Sequence, residues 1–260
     1  MKIATWNING VRARIESATA WVRDAAPDIV CLQEIKSEDK KFPAEAFEDL
    51  GYNVAIHGQK GFNGVAVLSR LPIDSAEPGL AGDDADDQAR FLTVTVSTDT
   101  GALTVVSLYL PNGNPVASDK FAYKLAWMER LRAWAVDRLA EEEMFVLAGD
   151  YNVIPGARDA RFPERWSDDA LAQPETRAAY RRLVHLGLTE AYRACDDNDG
   201  AFTFWDYQAG AWQKNNGIRI DHMLLSPQAA DRLVGADIDK RTRGWEKPSD
   251  HVPVVIELDV

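Results

Sequence analysis

Stretches of Val, Ile and Leu of strand length recur along the whole chain, several of them with no helix between. They lie at 2–6, 28–33, 52–57, 64–69, 90–97, 102–110, 144–149, 219–226 and 253–259, with shorter strands expected near 202–205 and 236–239. Helical patterns fit 12–25, 43–49, 117–141, 174–186 and 227–233. In 117–141, Phe121, Leu125, Met128, Leu131, Ala135 and Leu139 recur every three or four residues and predict one apolar stripe. Strands 52–57 and 64–69 follow each other directly, as do 90–97 and 102–110, so antiparallel pairs are expected and a regular βαβ series is not. Both ends of the chain are strand-like. No linker, repeat or low-complexity tract divides the sequence, so residues 1–260 are expected to form one domain. An α/β sandwich of two packed sheets with helices outside satisfies this pattern.

Composition narrows the function classes. With 46% hydrophobic and 27% charged residues the chain is ordinary globular material. A net charge of −12 disfavours a non-specific nucleic-acid coat or a binder of anionic membranes, while leaving room for a local basic groove. Candidates for such a groove are Arg12 with Arg14, Lys36, Lys60, Arg90, Lys120 with Lys124, and Lys240, Arg241, Arg243 and Lys247. No apolar run approaches the ~20 residues of a membrane span. The start Met-Lys-Ile-Ala-Thr-Trp-Asn turns polar before a signal peptide could form. Cys31 and Cys195 are the only cysteines, and no zinc spacing exists. A reduced, cytoplasmic setting is expected.

The chemistry lies where strands meet polar residues. Strand patterns run into Trp6-Asn7-Ile8-Asn9-Gly10, Leu32-Gln33-Glu34, Tyr109-Leu110-Pro111-Asn112-Gly113 and Gly149-Asp150-Tyr151-Asn152. Others start at Arg219-Ile220-Asp221-His222 and Ser249-Asp250-His251-Val252-Pro253. In an antiparallel sandwich the ends of one set of strands share a rim with the starts of the other, so these clusters are expected at one edge, where loops on a rigid scaffold carry function. Together they offer carboxylates, amides, an imidazole and a phenol. Oxygen ligands without cysteine suit Mg²⁺ or Mn²⁺, and a carboxylate beside such a cation can activate water for phosphoester cleavage. There is no P-loop and no nucleophile elbow; the glycine-rich stretch 58–64 reads as a hairpin turn.

The order of these motifs resembles the exonuclease III family of abasic-site endonucleases, within the endonuclease/exonuclease/phosphatase superfamily. The resemblance runs from Thr5-Trp6-Asn7-Ile8-Asn9-Gly10-Val11-Arg12-Ala13 through Cys31-Leu32-Gln33-Glu34-Ile35-Lys36, His57-Gly58-Gln59-Lys60-Gly61, Gly149-Asp150-Tyr151-Asn152 and Gly217-Ile218-Arg219-Ile220-Asp221 to Glu246-Lys247-Pro248-Ser249-Asp250-His251. It implies a four-layer α/β sandwich of two packed mixed, mainly antiparallel β-sheets flanked by helices. It implies a Mg²⁺-dependent nuclease, with Mn²⁺ able to substitute, acting as a monomer on double-stranded DNA. The enzyme would incise 5′ to abasic sites and trim nucleotides or blocking groups from 3′ ends. The implied catalytic set is Tyr109, Asp150, Asn152, Asp221 and His251, and the implied metal-facing set is Asn7, Glu34, Asp150, Asn152, Asp250 and His251. Either Asp150 or His251 takes the proton-transfer role. Asn112, Phe204, Ile218, Arg219 and Ile220 are the implied substrate contacts, with Phe204, Ile218 and Ile220 forming an apolar pocket for a flipped base-less sugar. Asn9 and Ile218 stand where some relatives carry Asp and Trp. The competing readings are a relative acting on RNA or on a phospholipid or inositol phosphate, and an inactive scaffold member.

Overall fold

A computed structural model describes residues 1–260. In chain order the strands are β1 (Lys2–Asn7), β2 (Ile29–Gln33), β3 (Asn53–His57), β4 (Val65–Ser69), β5 (Ser75–Pro78), β6 (Phe91–Thr98), β7 (Gly101–Tyr109), β8 (Phe145–Asp150), β9 (Thr189–Glu190), β10 (Asp221–Leu225), β11 (Leu233–Ile238) and β12 (Val254–Leu258). The helices are α1 (Ile15–Ala25), α2 (Glu45–Glu48), α3 (Asp119–Ala140), α4 (Pro174–Val184), α5 (Ala191–Cys195) and α6 (Pro227–Ala230). The strands make two six-stranded sheets, ordered β11-β12-β1-β2-β4-β3 and β5-β6-β7-β8-β10-β9. Each sheet holds one parallel pair, β1 with β2 and β7 with β8; every other pairing is antiparallel.

Strand alternation builds the layers. In β8, Val146 and Ala148 face the other sheet, while Phe145 and Leu147 face α3 and α4. In β1, Ile3 faces inward, while Ala4 and Trp6 pack on the α1 side with Trp21 and Val22. The inner cluster therefore takes Ile3, Ile29, Cys31, Val67, Val94, Val105, Val146, Met223 and Ile256 from both sheets, and helices cover each outer face. Polar bonds also cross between the sheets. Within the first sheet Thr5 Oγ1 donates to Gln33 Oε1 at 3.2 Å, and Gln33 Nε2 then donates across to Ser107 Oγ of the second sheet at 3.1 Å. Ser107 Oγ in turn donates to the Leu32 carbonyl. This buried chain lies one residue behind Glu34 and fixes the sheets against each other.

Two differences from the sequence pattern matter. Residues 202–205 form only two isolated bridges, from Phe204 to Ile218 and to His251, and β5, exposed throughout, is not marked in the sequence pattern. The buried stripe of α3 is Lys124, Trp127, Met128, Leu131 and Ala135, so Leu125 and Phe121 turn partly toward solvent and a lysine takes a core position.

Candidate active site

The polar clusters do meet at one rim. Register places Tyr109 beside Asp150 and Asp150 beside Asp221, so these three side by side end β7 and β8 and begin β10. From the other sheet, Asn7 ends β1 in register with Gln33, which precedes Glu34. Asn7 spans the two sheets. Its Nδ2 donates to Glu34 Oε1 and to Asp150 Oδ2, both at 3.0 Å. The second Asp150 oxygen accepts the Asn152 backbone N–H at 2.9 Å. Asn152 Nδ2 donates to the Leu110 carbonyl, and its Oδ1 accepts from Asn112 Nδ2 at 3.1 Å. Glu34 and Asn152 both have φ of 48°; asparagine tolerates that left-handed turn, whereas for Glu34 it is strain held by the surrounding loop.

His251 completes the rim. Its Nδ1 sits 2.9 Å from Asp221 Oδ2, and its Nε2 lies 3.7 Å from Asp150 Oδ2. The loop that carries it is clamped to β1: Trp6 Nε1 donates to the His251 carbonyl and Ser249 Oγ donates to the Asn7 carbonyl. The Phe204 ring packs edge-on against the imidazole, with centroids 4.9 Å apart. Lys36 Nζ bonds Glu34 Oε2 at 2.9 Å and Asn9 Oδ1 at 2.5 Å, and Asn9 Nδ2 donates to Asp250 Oδ1 at 2.9 Å. Asp250 thus joins the group through Asn9. Arg90 stacks on the Tyr109 ring, 4.8 Å from its centroid.

Burial and charge act in opposite directions here. Burial alone would push His251 down, but the carboxylates of Asp221 and Asp150 and the Asp221 bond outweigh it and raise its pKa to about 10. Asp150 is raised, chiefly by burial, with Asp221 adding and His251 opposing. Burial would also raise Glu34, but the Asn7 bond, Lys36 and His251 hold it below the usual carboxylate range. Tyr109 is raised by burial and by nearby Glu34 and Asp150, so its phenol stays protonated.

The endonuclease/exonuclease/phosphatase family pattern matches residues 4–251, a span that includes every one of these rim residues. The chain belongs to this family. It is 36% identical over 266 residues to exodeoxyribonuclease III of Haemophilus influenzae, covering 99% of this chain and all of that one. To the DNA repair nuclease APEX1 of Danio rerio it is 30% identical, across 100% of this chain and 83% of the other. Its fold superposes on an AP endonuclease from Archaeoglobus fulgidus with a TM-score of 0.94 at 34% identity. It superposes on a Neisseria 3′ phosphatase bound to a product DNA hairpin with a TM-score of 0.95 at 36% identity. Both of those chains are covered in full.

For this family member, the structure brings together Asn7, Glu34, Tyr109, Asn112, Asp150, Asn152, Asp221, Asp250 and His251. Three of the expected substrate contacts are buried. Arg219 is 2% exposed and turns inward, where its guanidinium bonds Asp159 Oδ1 at 2.8 Å and Glu190 Oε1 at 2.9 Å and ties loop to sheet. Ile218 and Ile220, 1% and 2% exposed, lie under the 157–172 loop, because Ala160 and Phe204 both pair with Ile218. They form a floor with Ile154, Ala160, Leu171 and Ala172, and only Phe204 and Trp166 reach the surface above it. Of the proposed basic groove, Lys124 and Arg243 are buried. Sequence reasoning gave no site role to Trp166, nor to Tyr207, whose hydroxyl accepts from Arg14 Nη2 at 2.8 Å and donates to the Pro248 carbonyl at 2.9 Å. It also missed Lys124 as part of the site's support, although Phe121, Lys124, Met128, Leu131 and Ala135 follow helical spacing as well as the stripe first expected.

Proposed function

We propose that this chain is a divalent-metal-dependent DNA repair nuclease that incises duplex DNA 5′ to abasic sites and removes nucleotides or blocking groups from 3′ ends. The observation that carries the reading is the rim of hydrogen bonds and charge contacts running from Glu34 through Asn7 and Asp150 to His251 and Asp221. The named functions of the relatives, exodeoxyribonuclease III and AP endonuclease among them, support a DNA phosphodiester as substrate.

The carboxylate oxygens of Glu34, Asp150 and Asp250 fit a hard cation such as Mg²⁺, with Mn²⁺ as a substitute. Ligand atoms of Asp150, Asp221 and His251 also lie within 4.8 Å of one another. Both Asp221 oxygens, however, face His251 Nδ1, and a cation there would compete with an imidazole already held charged. Glu34 and Asp150 would therefore be the better holders, with Asp250 at the margin, while Asn7 Nδ2–H bridges the two carboxylates and its Oδ1 accepts the Asn9 N–H. When bound, the cation neutralises charge building on the phosphate and leaving oxygen. Asp150, fixed by Asn7 and Asn152, accepts the proton of the attacking water. His251, kept protonated by Asp221, presents Nε2–H to a phosphate oxygen, which makes Asp150 the better proton acceptor of the two. Asn152 orients Asn112, whose remaining N–H faces the phosphate, and the Tyr109 phenol donates beside it.

The test uses duplex oligonucleotides carrying one tetrahydrofuran abasic analogue or one 3′-phosphate, with and without Mg²⁺. Metal-dependent cleavage of either is expected, with Asp150→Asn and His251→Asn each lowering kcat by about a hundredfold or more. Wild-type protein that leaves both substrates intact sinks the reading, and cleavage of RNA or a phospholipid instead would move it elsewhere in the superfamily. No helix is long and apolar enough to cross a membrane. We take the working form to be a cytoplasmic monomer.

A further inference from the structure

The second turn of α3 carries a residue that core packing alone does not account for. Lys124 is 0% exposed, in line with Trp127, Met128 and Leu131. Burying a lysine head costs several kcal/mol unless it is paired and hydrogen-bonded, and an apolar side chain is usually at least as good for stability. Its partners are not carboxylates. Nζ donates to the Asn112 carbonyl at 3.0 Å and to the Asn152 carbonyl at 2.6 Å. Those residues belong to the loops after β7 and β8, and their side chains bond each other at 3.1 Å on the rim side. The loop is shaped around the lysine stem: a Cβ on Gly113, which has φ of +88°, would stand 2.6 Å from Lys124 Cδ.

We propose that Lys124 is a positioning residue, which clamps the Asn112 and Asn152 carbonyls from behind so that the Asn112 side chain is presented to the phosphate being cut. The clamp needs two N–H donors, which an ammonium and a neutral amine share. Lys124 touches neither substrate nor metal in this role. It acts through Asn112 and Asn152, as the residues behind a reacting group commonly do when they hold it within a fraction of an ångström. An apolar substitute would fill the core and leave two carbonyls without their donor, letting the loops separate.

The experiment measures kcat, KM and thermal melting for Lys124→Met, Lys124→Arg, Asn112→Ala and the Lys124→Met/Asn112→Ala double variant on the 3′-phosphate duplex in Mg²⁺. Folded Lys124→Met is expected to lose about tenfold or more in kcat with KM within about twofold, and Lys124→Arg to recover part of the loss. The double variant is expected to fall no more than about twofold below Asn112→Ala alone, because residues acting as one unit are not multiplicative. A folded Lys124→Met with wild-type kcat, or a fully multiplicative double variant, overturns the proposal. If Lys124→Met does not fold, Lys124→Gln, which keeps a donor but shortens the reach, runs the same cycle under the same criteria. The inference rests on the nuclease reading. Wild-type protein without metal-dependent cleavage overturns both, whereas multiplicative losses in an active enzyme overturn only the role of Lys124.

Discussion

Glu34 shows how much one side chain can be asked to do. It sits in a left-handed turn that costs about 1–3 kcal/mol for such a residue, and it keeps its charge despite burial. Glu34→Gln would retain the Asn7 bond and lose the anion, so the Mg²⁺ concentration for half-maximal activity should rise about tenfold or more. An unchanged Mg²⁺ titration would remove Glu34 from the metal site. The Asp221–His251 pair makes a second prediction. Its folded pKa is raised from 6.5 to about 10, so its stabilisation is complete below pH 6.5 and fades as pH climbs toward about 10. In metal-free protein the melting-temperature gap between wild type and His251→Asn should therefore shrink across that window, at about 2–4 °C per kcal/mol for a chain of this size. A gap that widens with pH would mean that the imidazole is neutral. Most rim residues were legible in the sequence because each one interrupts an apolar strand. The buried ion pairing of Arg219 was not legible, because its partners Asp159 and Glu190 lie in distant segments and a buried ion pair leaves no local pattern.

Among the elements, β8 is the most constrained. Gly149 lies against Leu108 so closely that a Cβ would stand 1.9 Å from the Leu108 carbonyl oxygen. Gly149→Ala must push β7 and β8 apart, and should destabilise the protein by about 1–3 kcal/mol or more while shifting Tyr109 relative to Asp150. Denaturant unfolding reads the first effect and kcat the second; an Ala variant of wild-type stability would show that the strands have slack. The long apolar strands and α3 were visible because buried faces impose a period on the sequence. β5 was not, since Ser75–Pro78 is an edge strand with every residue exposed, and nothing in its environment selects apolar side chains. The two-residue β9 is too short to have a period at all. The α3 stripe holds Met128, Leu131 and Ala135 as expected but takes Lys124 in place of Leu125: hydrophobicity favours the leucine, while the carbonyls at the end of the sandwich require a donor.

At the scale of the molecule, a chain of net charge −12 has to approach a polyanion with the right side. Arg12, Arg14 and Lys247 line one hollow together with Glu16 and Glu246, and Arg14 also reaches Tyr207 and the Asn9 carbonyl at the rim. Acidic charge is partly neutralised elsewhere, as where Asp86 takes Arg130 and Tyr123. Arg12→Ala and Lys247→Ala should each flatten the slope of log K against log[salt] for duplex DNA by about 0.9, the release of one counterion. An unchanged slope in both would place the DNA track elsewhere. The sandwich itself was legible from strand succession, but not the pairing of the first strand with the last, since β1 joins β12 across nearly the whole chain. That pairing bears on how activity arises in time. The clamp from Trp6 to His251 closes over a separation of 245 residues, and contacts so distant in sequence are slow to form because the intervening loop entropy must be overcome first. Catalytic competence should therefore return with the slowest phase of refolding from denaturant, after secondary structure has recovered. A half-assembled chain would then have helices and strands before it has a closed catalytic rim.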